Sequence, residues 1–273
     1  MGLLLKIIEI ILAVLYWCSA GVYTGHFIRS TRLSSGLCSI FIRLTLIWHL
    51  VFFALISWNF GRNPVASFYE FLSALALGLL LIYLYLEVRF HNRSLGPWVL
   101  TLAAAAQTVS TILAKHPYAE DVSPAILTSW FTFHQIFITL AFSSLLISAI
   151  FSLMYLVLYR SLKRKLFDVF FERFLPLATL GEMNYQALLT GVIFLAINIP
   201  VAFAMVYAFN NGEWDFQYCM FFTYFIVYAL GALLGKFAGW RGNRLAIYSL
   251  VSLCILVVAT GAAKFFTERH AWF

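Results

Sequence analysis

Six histidines sit in a chain that is poor in ionisable groups, and three of them, His49, His134 and His270, fall where an imidazole could do chemistry. His49 follows Trp48 past the middle of an apolar run, His134 closes the stretch Trp130-Phe131-Thr132-Phe133-His134, and His270 lies just beyond the last apolar run. Neutral imidazole is a strong ligand for a transition metal or for porphyrin iron. The competing reading of a lone histidine in an apolar helix is a hydrogen-bonded core residue, and spacing alone does not choose between them. A metal pathway asks for carboxylates or clustered methionines, whereas the five Met are dispersed and the aromatic-rich surroundings suit a flat macrocycle better. Between His134 and His270 in the sequence stands Asn210-Asn211-Gly212-Glu213-Trp214-Asp215-Phe216, where Trp214 and Asp215 mark an interfacial site or an aromatic belt with a turn.

The remaining candidates carry less. Glu9, Arg43, Glu70 and Lys264 lie in or near apolar runs, and Arg43 and Lys264 are long enough to reach headgroups along their stems. Gln107, Asn198 and Glu9 could line a polar path for another solute, yet nothing resembles paired broken helices. Cys18, Cys38, Cys219 and Cys254 are scattered singly, without CxxC or zinc spacing, and read as packing residues. Catalytic triads, phosphate loops and nucleic-acid motifs do not appear.

The elements that must position these residues follow from composition. Of 273 residues, 63% are hydrophobic and 11% charged, against a soluble norm of about a quarter charged. Apolar runs near 3–24, 37–58, 66–87, 96–115, 124–158, 185–210, 216–239 and 244–266 are each long enough to cross a bilayer core of roughly 30 Å. The expected fold is an all-α, polytopic bundle of about eight transmembrane helices, forming a single domain over 1–273. The first run, with Lys6 and Glu9 but no convincing cleavage site, is expected to stay as the first helix. The fifth run exceeds one bilayer and should project as a continuous helix into a connection at about 160–184, where Lys163 to Leu177 alternates Phe and Leu with charges as an interfacial amphipathic helix does. Pro176 and Gly181 would then punctuate entry into the sixth helix.

The net charge of +7 reads as membrane orientation, because the basic residues sit in short connections. Arg29, Arg32, Arg89, Arg93, Arg160 to Arg173, Lys236, Arg241 and Arg244 fall on one side; Arg62, Lys115, Glu120, Asp121, Glu213 and Asp215 fall on the other. The asymmetry places both termini on the outer face of the cell membrane and His134, Trp214 and His270 near that face, with no role for nucleic acid.

The segments Trp48-His49, Pro64 with Ser67-Phe68-Tyr69-Glu70, Tyr83-Leu84-Tyr85-Leu86-Glu87-Val88-Arg89 with Leu95-Gly96, and Trp130 with His134 form the first part of a pattern. Leu175-Pro176 before Thr190-Gly191, Trp214-Asp215, Gly239-Trp240-Arg241-Gly242 and His270 complete it. The whole resembles the CcsA/CcmC-type cytochrome c assembly superfamily, haem-handling membrane proteins with a tryptophan-rich outer motif, and in particular its eight-helix CcsA and HemX-like branch. The resemblance implies a non-covalent b-type haem with His134 and His270 as axial ligands beside Trp214 and Asp215, and His49 as a waypoint within the membrane. It implies a CcsB/ResB-like membrane partner and apocytochrome c as the recipient, the chain being the haem-handling component of a cytochrome c synthetase without independent catalysis. This chain departs from the pattern in two places: the tryptophan-rich run keeps only Trp214-Asp215, and Tyr228 to Gly239 contains no histidine. The alternatives it leaves open are a HemX-like accessory or regulatory protein of haem synthesis or respiratory complex assembly, and a structural subunit of a respiratory complex.

Overall fold

Alternating apolar runs and short polar connections fold, in a computed structural model, into eight helices. The structure describes residues 2–114, 128–165, 175–209 and 216–266. In chain order the helices are α1 (Gly2–Ile28), α2 (Arg32–Phe60), α3 (Phe68–Phe90), α4 (Gly96–Leu113), α5 (Ser129–Lys163), α6 (Leu177–Phe209), α7 (Phe216–Phe237) and α8 (Asn243–Phe266). All eight are long and apolar enough to cross a bilayer. Every regular element among the described residues is a helix, as expected where no water is at hand to satisfy an open strand edge. Large apolar side chains stand exposed along them, Leu33 at 76%, Trp58 at 88% and Ile112 at 75%, far beyond what a water-soluble surface tolerates. The protein is an integral membrane protein.

Local chemistry sets the helix ends. Thr31 accepts the Ser34 N–H while the Ser34 hydroxyl accepts the Thr31 N–H, a reciprocal cap that starts α2 ahead of its apolar run. Gly61, at φ +60°, ends α2 in the left-handed conformation that glycine adopts without a Cβ clash. Ser67 caps α3 by accepting the Glu70 N–H, and Pro97 opens α4, where its missing N–H costs nothing. Helix α5 is the 35-residue continuous helix that its long run predicts. Helix α6 starts at Leu177, directly after Pro176, so Gly181 lies inside the helix, where it packs beside the Gly242 backbone. The proposed amphipathic segment between Lys163 and Leu177 falls largely on 166–174, outside the described residues.

The chain forms two compact units, divided within α5 after Gln135. In the first, α1 packs on α2 and α4, α4 on α3, and α3 on α2, so four helices close a ring. Polar contacts fasten it: Trp48 Nε1 donates to Ile8 O at 3.2 Å, Ser19 and Thr45 hydroxyls meet at 2.8 Å, and Trp17 Nε1 donates to Thr108 Oγ1 at 2.9 Å. In the second, α6 packs on α7 and α7 on α8, around a core that includes Leu145, Leu188, Leu195, Phe221 and Tyr228. Helix α5 seats Leu145 over Gly191 of α6, where the Ser148 hydroxyl also donates to Asn184 Oδ1 at 2.6 Å.

Gly96 shows how tightly the first unit is fitted. A Cβ there would stand 2.1 Å from Tyr23 Cδ1 and 2.7 Å from Tyr83 Oη, both on fully buried rings, and Tyr23 is further held by Glu87. Gly96→Ala is therefore expected to destabilise the protein by about 1–3 kcal/mol. Gly36, with nothing within 4 Å of its Cβ position, should tolerate Ala or gain about 0.5–1 kcal/mol from helix propensity. Thermal unfolding of the two variants in detergent tests the contrast, and equal melting temperatures would refute it.

Candidate functional site

His49 of α2 is fully buried in the first unit, where α1 and α3 reach it directly and α4 through Ser73. Tyr16 of α1 meets its Nδ1 at 2.9 Å, Ser73 of α3 meets its Nε2 at 3.3 Å, and the Ser73 hydroxyl donates to Gln107 Oε1 of α4 at 2.8 Å. Gln107 Nε2 continues to Thr111 Oγ1 at 3.3 Å, and that hydroxyl donates to the Gln107 carbonyl at 2.9 Å. The direction of each bond follows from the last. Thr111 spends its proton on the carbonyl, so it accepts from Gln107, whose oxygen must then accept from Ser73. Ser73 has spent its only proton and accepts from His49 Nε2–H, leaving Nδ1 to accept from the Tyr16 phenol. Phe53 lies edge-on to the imidazole at 4.6 Å between centroids and closes its apolar surroundings.

His134 lies in the second turn of α5, half-buried. Trp130, one turn earlier on the same helix face, and Phe133 are each about half exposed, which sets flat apolar surface beside the imidazole. The start of α5 is tied to the connection between α2 and α3, because Asn63 Nδ2 donates to Thr132 Oγ1 at 3.1 Å. That connection is itself rigid. Arg62 donates to both oxygens of Glu70, Nη2 to Oε1 at 2.8 Å and Nη1 to Oε2 at 3.2 Å, with both side chains almost fully buried. Glu70 Oε2 also accepts the Ala66 N–H at 2.6 Å, and Asn63 Oδ1 accepts the Val65 N–H at 3.0 Å. His270, Trp214 and Asp215 lie outside the described residues.

A second polar centre occupies the opposite end of the same unit. Glu87 Oε1 accepts from Arg93 Nε at 2.7 Å and Oε2 from the Tyr23 phenol at 2.6 Å. Arg93 Nη1 donates to the carbonyl and hydroxyl of Ser35, and Nη2 donates to Ser39 Oγ at 2.6 Å. Burial works against the guanidinium charge, but the hydrogen bond and the charge of Glu87 outweigh it and raise the Arg93 pKa. Of the residues offered for a polar solute path, Gln107 belongs to the His49 chain, Glu9 is buried in the first unit, and Asn198 is buried in the second with neither amide atom on a protein partner. Sequence reasoning did not single out Tyr16, Ser73 or Arg62. Arg62 stood in a polar connection, and only its spacing to the Ser67-x-x-Glu70 cap hinted at a partner. No group of three metal-ligating side chains occurs among the described residues.

Comparison with known proteins bears on these residues. A family model described as cytochrome c assembly protein matches residues 65–269, which takes in His134, Trp214 and Asp215 and leaves out His49 and His270. Among curated proteins, "Cytochrome c biogenesis protein CcsA" of Heterosigma akashiwo is 28% identical over 157 residues, 55% of this chain and 45% of the relative. The chain thus matches less than half the length of that relative. Proteins of the same name from Chlorella vulgaris and Guillardia theta are 24% and 27% identical, over 90% and 72% of this chain and 85% and 71% of theirs. With three quarters of its length matched by one family model, the chain belongs to the cytochrome c assembly protein family.

Proposed function

We propose that the protein handles haem for cytochrome c biogenesis, holding a non-covalent b-type haem near the outer face of the cell membrane between His134 and His270, with Trp214 and Asp215 beside it. The observation that carries this reading is the family match across His134, Trp214 and Asp215. It is supported by the name shared by the relatives and by the half-buried His134 beside Trp130 on one helix face. Bound haem would supply an iron for imidazole ligation and the macrocycle delivered to an apocytochrome c. The chain's own part is positional: the Arg62-Glu70 connection fixes the start of α5, and Trp130 and Phe133 offer apolar surface to a porphyrin. His49 serves as a waypoint within the membrane. Both termini lie outside, following the basic connections, and a CcsB/ResB-like membrane protein completes the synthetase.

Purified protein supplied with haem is expected to show a Soret band. His134→Ala or His270→Ala should lower haem retention by about tenfold or more at unchanged melting temperature. A protein that stays colourless after haem supplementation would overturn the reading. The short Trp214-Asp215 run favours one other reading, a HemX-like accessory role without haem attachment. Complementation of a strain lacking its CcsA-type protein separates the two, since restored cytochrome c requires the assembly role.

A further inference from the structure

At the end of the first unit that holds Arg93, a cavity of about 780 Å³ is lined by the ends of α1 and α2 and by the connection between α3 and α4. Its size is that of a small-molecule site rather than a single ion. Val88 is the only apolar residue in a lining that includes Arg32, Arg93, Glu87, His26 and His91.

The charge balance of this lining is positive. Glu87 is the only acid in it, and its two oxygens are taken by Arg93 and Tyr23. Arg93 is locked by Glu87, Ser35 and Ser39 through four of its five N–H groups, so one remains for a ligand. Among the described residues Arg32 has no carboxylate partner.

Two of these residues are placed against local preference. Arg32 is the first residue of α2, at the positive end of the helix dipole, in a first turn without an acidic residue. His91 ends α3 at φ +50°, a left-handed conformation that disfavours a residue with a Cβ and that glycine would adopt freely. Both side chains line the same cavity, and an anion there would compensate both.

Val88 of the lining is 65% exposed, and Ile28 and Leu33, which flank the lining residues Ser30 to Arg32 in the chain, are 56% and 76% exposed, with Arg29 and Arg89 exposed beside them. We infer that this cavity binds the anionic head of a membrane amphiphile, with phosphate or carboxylate oxygens on Arg32, Arg93 and the imidazoles and an apolar body running along Ile28, Leu33 and Val88. The inference does not rest on the haem reading. Two sources share this chemistry, an anionic phospholipid and a tetrapyrrole carrying carboxylates.

The test uses the full chain and the variant Arg32→Gln/His91→Asn. Arg32 is exposed, and asparagine accepts the left-handed conformation, so the fold should hold; an unchanged melting temperature checks this. In one arm, native mass spectrometry follows phosphatidylglycerol retained from mixed phosphatidylglycerol and phosphatidylcholine. In the other, haem and haem dimethyl ester, whose carboxylates are masked, are titrated in detergent. A loss of phosphatidylglycerol affinity by about tenfold in the variant identifies a lipid site. A preference for haem over its ester that disappears in the variant identifies a tetrapyrrole site. If neither phosphatidylglycerol nor haem binding changes, the inference is wrong. A colourless protein that still loses phosphatidylglycerol in the variant would sink the haem reading and leave this site standing.

Discussion

Glu70→Ala is expected to destabilise the protein by about 3–5 kcal/mol, more than Gly96→Ala. The Arg62 and Glu70 side chains are 2% and 3% exposed, so each charge has exchanged water for the other. Truncating Glu70 leaves a guanidinium whose remaining partners among the described residues are the Asn63 carbonyl, at 2.9 Å, and the Phe60 ring, at 5.6 Å. It also removes the acceptor of the Ala66 N–H. Arg62→Met should cost a similar amount, because it strands the carboxylate. The double variant Arg62→Met/Glu70→Leu should recover most of the loss, since an apolar pair of similar volume carries no desolvation penalty. Equilibrium unfolding of the three variants in detergent gives the cycle. Single variants losing under about 1 kcal/mol would show that the pair is solvated rather than buried.

This pair also shows where reading from the chain stopped. Eight helices were legible because lipid leaves a coarse signature: some twenty apolar residues between polar connections, whatever the tertiary detail. The ends were less so. The apolar run places the start of α2 near Leu37, whereas the Thr31-Ser34 cap starts it at Arg32, and such a cap adds helix without adding hydrophobicity. Likewise Pro176 starts α6 at Leu177, well ahead of the run near 185–210.

The candidate site was legible by residue type only. His49 and Glu70 stood out because ionisable groups in a membrane segment are costly. The His49 partners did not, since Tyr16 and Ser73 lie 33 and 24 residues away and become neighbours only when the helices close a ring, while Gln107, named only for a polar path, joins them through Ser73. Charge counting treated Arg62 and Arg93 alike as solvated connections. In the structure each is the hub of a hydrogen-bonded cluster, one at either end of the first unit, and neither clustering has a local signal beyond the Ser67 cap and the short spacing from Glu87 to Arg93. The role proposed for His134 comes from the family resemblance, since no contact pattern in the chain could have supplied it.

His49 carries the second large prediction. Tyr16→Phe removes the donor to Nδ1, and His49→Leu removes the acceptor of the Tyr16 phenol; each leaves a buried polar group alone and should cost about 1–3 kcal/mol. The double variant replaces both by apolar side chains and should cost no more than either single one, giving a coupling of about 1–3 kcal/mol. Ser73→Ala strands two partners, His49 Nε2 and Gln107 Oε1, and should cost more than Tyr16→Phe. The same chain fixes the proton: 15N NMR of labelled histidine should show the His49 proton on Nε2, and a proton found on Nδ1 would refute the bond directions. The consequence reaches function. Were His49 to hold a haem iron through Nε2, it would give up the Ser73 contact, the longer of the two at 3.3 Å, and would carry its proton on Nδ1, with Tyr16 changing from donor to acceptor. Tyr16→Phe cannot make that change of role. If His49 is a waypoint for haem, this variant should alter the spectrum or the retention of haem held there while leaving haem at His134 untouched.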